Sequence, residues 1–283
     1  MNKLLKYKNQ EPIFRENQKG DLLYLSYPLF DKTRMVKHGF STRLGGVSEG
    51  IFSSMNLSFT RGDDEAAVRE NFRRMARAIG AEEDSLVFAV QTHTTNVRKV
   101  TAEDKGKGIL KPVDYQDVDG LITNVPGLCL TTFYADCVPL FLVDPVHKAI
   151  GLSHSGWRGT VGKMGKETIA RMQEEYGTNP KDLLVAIGPS ICQECYEVSE
   201  DVILEFQKHF DEKHWNFLYY KKDNGKYQLD LWKANEIIFE EAGVPKENIA
   251  VTNVCTCCNE DKLFSHRASK GKRGSLAAFM TLK

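Results

Sequence analysis

The sequence predicts an α+β fold, a layered sandwich of mixed β-sheet with flanking helices. Three observations predict it. Short runs rich in β-branched and aromatic residues recur at 86–90, 120–123, 128–134, 138–143, 149–153, 183–187, 249–254 and 276–281, some of them continuously apolar as in strands buried on both faces. Four other segments carry apolar residues at helical spacing. The runs between 120 and 153 follow one another with no helical segment between them, so they are expected to pair largely as antiparallel neighbours. Strand clusters mixed with helices favour layers over a regular doubly wound sheet.

Each helix is justified by its stripe and its caps. The first starts at Asp63 or Asp64, which caps it, buries Val68, Phe72, Met75 and Ile79, and stops at Gly80. The second runs from about 161 through Met164, Ile169, Met172 and Tyr176, and Gly177 and Pro180 end it. Ser199 begins the third, with Val202, Ile203, Phe206 and Phe210 on one face. The fourth covers 231–242, ahead of Gly243 and Pro245. The polar stretch 101–108 is a loop too short to separate domains, so residues 1–283 are expected to form a single domain.

Charge and cysteine usage narrow the function. With 38 basic and 38 acidic residues the formal net charge is zero, which offers no electrostatic footprint for nucleic acid or a membrane surface. The expected substrate is a small molecule, and any anion must be caught locally. No stretch approaches the run of about 20 apolar residues that a membrane span needs. Residues 1–15 contain lysines but no apolar signal core. Seven cysteines, an odd and unevenly spread set, point to a reducing compartment and hence the cytoplasm. Without a heptad or a long exposed apolar stripe, a monomer is expected.

Three of the apolar runs end on a metal-ligating residue. The run 86–90 leads to His93, the run 128–134 to Cys137, and the run 149–153 to His154. Two imidazoles and a thiolate leave a fourth tetrahedral position open, the pattern of a catalytic rather than a structural zinc. Such an ion lowers the pKa of bound water to about 7. Asp136, beside the thiolate, is a candidate to orient a ligand histidine. Spacing alone leaves open a Cys–His nucleophile pair and plain core residues as well.

Other constellations carry chemistry of their own. After His154, glycines 156 and 159 bracket Trp157-Arg158 ahead of a helix, where an anion can meet backbone N–H groups and a guanidinium. The Gly-rich turn at 41–48 brings Arg43 near Asn56, which can line a pocket or form an ordinary hairpin. Cys192 and Cys195 form C-x-x-C, and Cys255, Cys257 and Cys258 a crowded C-x-C-C. Together these can make a structural zinc site, although the second cluster lacks a clean two-residue gap and free thiols are the competing reading. The basic, glycine-rich 270–274, near Arg267, can close over a ligand phosphate or remain a solvated turn.

Taken together, the motifs resemble those of the YfiH/laccase-domain family, whose members carry names such as polyphenol oxidase, purine nucleoside phosphorylase and peptidoglycan editing factor. The matching fragments run in one order over almost the whole chain: 38–48, Gln91-Thr92-His93, 135–139, 154–159, 187–191, 195–198, Asp230-Leu231, Cys255-Thr256 and 264–267. The resemblance implies a YfiH-like layered fold and a zinc-dependent catalytic centre on His93, Cys137 and His154. It also implies phosphorolysis of adenosine, inosine, guanosine and methylthioadenosine, with adenosine deamination as a second activity. Purine nucleoside and phosphate would be its small-molecule partners, with Arg43, Asn56, Arg158 and Arg267 as candidates for substrate contact. His266 stands where many relatives have tyrosine and Ser155 where alanine is common; neither touches the triad. Copper is an alternative metal, but a multicopper oxidase needs paired histidines and none of the seven here forms a His-x-His. A zinc or cysteine hydrolase acting on peptidoglycan precursors, and a non-catalytic zinc-stabilised binding protein, are the remaining alternatives.

Overall fold

The apolar runs fold into two six-stranded sheets whose inner faces meet, with helices on both outer faces; the computed structural model describes residues 4–283. The strands are β1 (Arg15–Lys19), β2 (Leu22–Ser26), β3 (Val36–Ser41), β4 (Leu86–Phe88), β5 (Val97–Lys99), β6 (Gly120–Thr123), β7 (Cys129–Tyr134), β8 (Val138–Asp144), β9 (Ala149–Ser155), β10 (Leu184–Ile187), β11 (Glu197–Val198), β12 (Tyr219–Lys221), β13 (Tyr227–Leu229), β14 (Ile249–Val251) and β15 (Leu276–Leu282). The helices are α1 (Pro28–Asp31), α2 (Glu65–Ile79), α3 (Trp157–Val161), α4 (Met164–Tyr176), α5 (Glu200–His209), α6 (Glu212–Leu218) and α7 (Leu231–Glu241). The first sheet has the order β1-β2-β3-β15-β7-β4, the second β14-β10-β8-β9-β6-β5, and β11-β13-β12 form a small third.

Side-chain alternation assigns every face. In β15, Leu276, Ala278, Met280 and Leu282 enter the core between the large sheets, while Ala277 and Phe279 pack outward against the stripe of α2. In β8, Phe141 and Val143 meet the first sheet, and Val138, Leu140 and Leu142 pack toward α4, α5 and α7. Each fully buried aliphatic or phenyl side chain contributes roughly 1.5–3 kcal/mol. The caps act where the sequence puts them: Asp64 accepts from the Ala67 N–H at 2.8 Å, Asp230 from Lys233 at 2.9 Å, and Gly80 ends α2 at φ 75°. Among the described residues no helix is long and apolar enough to cross a membrane.

Two expectations are corrected. The runs from 120 to 153 do not all pair with one another. β8 and β6 flank β9 antiparallel, but β7 lies in the opposite sheet between β15 and β4. The chain changes sheets at Ala135-Asp136-Cys137, where Asp136 takes the left-handed φ of 86°. The helix expected from 161 is also two helices. α3 begins at Trp157, and the chain breaks at Gly162, where a Cβ would sit 2.6 Å from Thr95, and at Lys163, φ 60°. β1 escaped notice because an exposed edge strand (RENQK) has no apolar pattern.

Histidine 38 makes the fold sensitive to acid. It lies in β3 against the rings of Tyr27 and Phe30, and its Nε2 accepts the Tyr27 N–H at 2.7 Å. Burial pulls its pKa from 6.5 down to about 4. Below pH 6.5 the unfolded chain takes up a proton here that the folded chain refuses until about pH 4. Stability is therefore expected to fall across that window by up to about 3 kcal/mol from this group. Urea melts of metal-free protein at pH 4 to 7 check this. His38→Gln keeps an acceptor for the Tyr27 N–H and should flatten that part of the pH dependence.

Candidate metal centre

Three chain corners converge at one end of the sandwich. After β4, Gln91 crosses to β7, donating to the Phe133 carbonyl at 2.8 Å and accepting its N–H at 2.6 Å. That clamp sets the next corner, where His93 adopts a left-handed φ of 67°. Cys137 follows the sheet-switching Asp136. His154 shares the parity of Ile150 and Leu152 in β9, so its ring points between the sheets and packs on Tyr134 at 5.6 Å. The His93 and His154 rings lie 4.9 Å apart, and Cys137 Sγ is 3.9 Å from His93 Nε2. One ligand atom from each of the three lies within 4.8 Å of the others. Gly156 closes the floor: a Cβ there would sit 2.9 Å from His93 Cδ2 and 3.1 Å from Cys137 Sγ.

The residue that orients this group is Asp119, which the sequence reading did not single out. It is fully buried. Its carboxylate takes His154 Nδ1 at 2.8 Å, the backbone N–H groups of Thr92, His93 and Thr94, and the Thr94 hydroxyl at 3.0 Å. With Nδ1 turned to Asp119, His154 offers Nε2 to the centre, the arrangement that fixes a metal-binding imidazole. The position expected to do this, Asp136, is engaged elsewhere. Its carboxylate accepts the Thr256 hydroxyl at 2.6 Å and the Arg267 N–H at 2.7 Å, tying distant loops to the corner.

Without a bound ion the electrostatics favour a thiolate beside an imidazolium. Burial pushes the Cys137 thiol up, but His154 and His93 outweigh it and hold the pKa at about 6. Burial pushes His154 down, but Cys137 and Asp119 raise it to about 9. Burial also opposes the Asp119 charge, yet His154 and the N–H groups keep its pKa below the usual value. Two imidazoles and an ionised sulfur around one point are a donor set that suits a thiophilic divalent ion, and the bare Gly156 leaves room for it.

The triad opens into a cavity of about 470 Å3, within the size range of small-molecule sites. One wall is aromatic, with Phe59, Phe88 and Phe133. The other is polar, with Ser58, Thr60, Ser275 and two guanidiniums, Arg61 and Arg273. Arg273 is 9% exposed, bonds Gly274 O and Ser275 Oγ, and leaves Nε without a partner. Burial and the neighbouring Arg61 pull its pKa down to about 10. No carboxylate lines this cavity among the described residues. The 270–274 segment thus closes over the cavity through Arg273 rather than standing off as a solvated turn.

The residues expected to contact substrate lie around this cavity, not in its lining. Arg43 lies over Phe264 and donates to the carbonyls of Ser53 and Glu260, both at 2.8 Å. Asn56 is fully buried, accepting the Ser275 N–H and donating to Asp63 and Ser58. Arg158 stacks on Trp157 at 4.2 Å, and Arg267 bonds the carbonyls of Cys195 and Glu197. All four have their polar atoms or faces occupied by the protein itself. Arg61 carried no sequence signal beyond its place in the polar loop after Asn56.

Residues 37–283 match the family model described as multi-copper polyphenol oxidoreductase laccase. The purine nucleoside phosphorylase YlmD of Bacillus subtilis is 36% identical over 249 residues, 87% of this chain and 88% of its own. A purine nucleoside phosphorylase of Bacteroides thetaiotaomicron is also 36% identical, over 90% of this chain and 95% of its own. The crystal structure of the hypothetical protein YfiH of Bacillus licheniformis superposes with a TM-score of 0.89 and 32% identity, covering 96% of this chain and all of that one.

Proposed function

We propose, from the premise that the chain belongs to the multi-copper polyphenol oxidoreductase laccase family, that it is a zinc-dependent purine nucleoside phosphorylase. The observation that carries this reading is Arg273, a nearly buried guanidinium beside Arg61 with no acid to pair with, facing the triad across the cavity. Two unpaired guanidiniums in a carboxylate-free pocket are built to take a polyanion. Opposite them, the phenyl wall suits a flat aromatic base. The relatives' printed names fit both halves.

On this reading His93, Cys137 and His154 hold zinc, with Asp119 setting the His154 tautomer. The ion supplies a Lewis-acid centre that polarises an oxygen of the bound reactants. Arg61 and Arg273 hold phosphate so that one of its oxygens faces ribose C1′. The new C1′–O bond forms as the C1′–N9 bond breaks; the electron pair leaves with the purine, which takes up a proton. Adenosine, inosine, guanosine and methylthioadenosine share the purine and the ribose C1′ that these groups address. Adenosine deamination is the lesser activity, because the cavity lacks the carboxylate that zinc nucleobase deaminases use as acid and base. Copper fits the donor types, but the seven histidines contain no His-x-His pair for a multicopper cluster.

The test is to measure bound metal and to incubate the protein with adenosine with and without phosphate. Adenine and ribose 1-phosphate formed only with phosphate are the expected result. Inosine formed without phosphate would make the deaminase the main activity. Bound zinc with every nucleoside untouched would overturn the reading and favour hydrolysis of peptidoglycan precursors.

A further inference from the structure

The second cysteine group of the chain comes together in the fold. β10 and β14 are parallel neighbours, paired Val185 to Ile249 through Ile187 to Val251, and a further bridge joins Ser190 to Cys255. The two loops that leave these strands side by side carry Cys192 and Cys195 on one, Cys255 and Cys258 on the other. Their four sulfurs all lie within 4.8 Å of one another, and Cys195 and Cys258 are 3.5 Å apart. A tetrahedron with metal–sulfur bonds of about 2.3 Å places its sulfurs about 3.8 Å apart. That spacing suits a single ion and is too close for an iron–sulfur cube. The clean C-x-x-C pairs are 192/195 and 255/258, and Cys257, which obscures the second pair in sequence, stands outside the group.

We propose that Cys192, Cys195, Cys255 and Cys258 hold one zinc ion in a closed structural site, separate from the triad. Four thiolates complete the tetrahedron and leave no position for substrate. The surroundings are built for charged sulfur. Cys255 Sγ accepts two backbone N–H groups, from Cys192 at 3.3 Å and Cys258 at 3.4 Å. These are the outer contacts that orient a metal-bound thiolate. Cys192 and Cys255 are 1% and 0% exposed, so two ligands are sealed from solvent. Lys8, held by Glu194 at 3.1 Å, lies against the group and offsets part of its negative charge.

The ion would fasten loops that matter to the triad. Thr256, next to Cys255, donates to Asp136, and the Ile191 N–H, next to Cys192, donates to the Asp136 carbonyl at 3.0 Å. Asp136 is the sheet-switching corner that delivers Cys137. The N-terminal segment is drawn in too, through Lys6 and Asn259, which exchange bonds of 2.7 and 3.0 Å.

The experiment needs no activity assay, so it stands or falls apart from the phosphorylase reading. Zinc is counted in the purified wild type, in Cys137→Ala and in Cys257→Ser, and is then released by titrating thiols with a mercurial. Two ions per chain in wild type and Cys257→Ser, and one in Cys137→Ala released as four thiols are consumed, are expected. Cobalt exchanged into Cys137→Ala should give intense sulfur-to-metal charge-transfer bands; it reads the site without removing any of its cysteines. The proposal is overturned if Cys137→Ala binds no zinc, or carries iron in its place. It is equally overturned if the mass shows hydrogens lost to disulfides between these cysteines.

Discussion

Cys137→Ala is expected to remove one zinc ion per chain and to lower phosphorolysis more than about 100-fold, since even partners that only orient a metal ligand typically cost 10- to 100-fold. The sulfur supplies the only negative charge among the three donors, and the two imidazoles left behind lie 4.9 Å apart with no thiolate to balance the ion. Asp119→Asn is the graded companion. All three ligands remain, but one oxygen becomes an NH2 facing backbone N–H groups that now have no acceptor. Zinc affinity by competition with a chelator, and kcat/KM, should both fall about 10- to 100-fold. Full zinc content and turnover in Cys137→Ala would mean that the reaction happens elsewhere.

Arg273→Met should cost about 100- to 1000-fold in kcat/KM for phosphate, the usual loss when one pre-placed donor to developing or transferred charge is removed. Methionine fills the same slot without the charge, so nucleoside affinity should stay near wild type. A structural role alone would not produce that split. Burial and Arg61 already strain the Arg273 charge, holding its pKa near about 10, and a bound anion relieves both. Phosphate should therefore raise the melting temperature of the wild type and leave Arg273→Met unmoved. An unchanged phosphate KM in this variant would remove the guanidinium pair from the mechanism.

The triad was legible because each ligand ends a strong apolar run, and strand ends are where side chains leave the sheet. Asp119 was not, because its role depends on strand pairing that no local pattern reveals. It precedes β6, and only the antiparallel register of Gly120 with Ser153 sets it beside His154. Asp136 drew attention by adjacency, yet its left-handed backbone turns the carboxylate toward Thr256 and Arg267. Helix α2 was fully legible, since an N-cap aspartate, a four-residue stripe and a left-handed glycine agree. The sheet switch after β7 was hidden because 128–134 and 138–143 are equally apolar whether they lie in one sheet or two. The arginines misled for a related reason: guanidiniums bind carbonyls as readily as ligands, and Arg43 and Arg267 have spent their donors on loop backbone.

The position of β15 has a kinetic consequence. It lies between β3 and β7, so the middle of the first sheet joins residues 36–41 to residues 276–282. Closing so long a loop is entropically slow, and proteins dominated by such distant pairings fold slowly. Until β15 inserts, β3 and β7 each expose an apolar, unpaired edge, the kind of surface that invites aggregation. A nascent chain would therefore carry its first sheet split in two until almost all of these residues had been synthesised, making the late steps of synthesis the interval in which a chaperone would matter most.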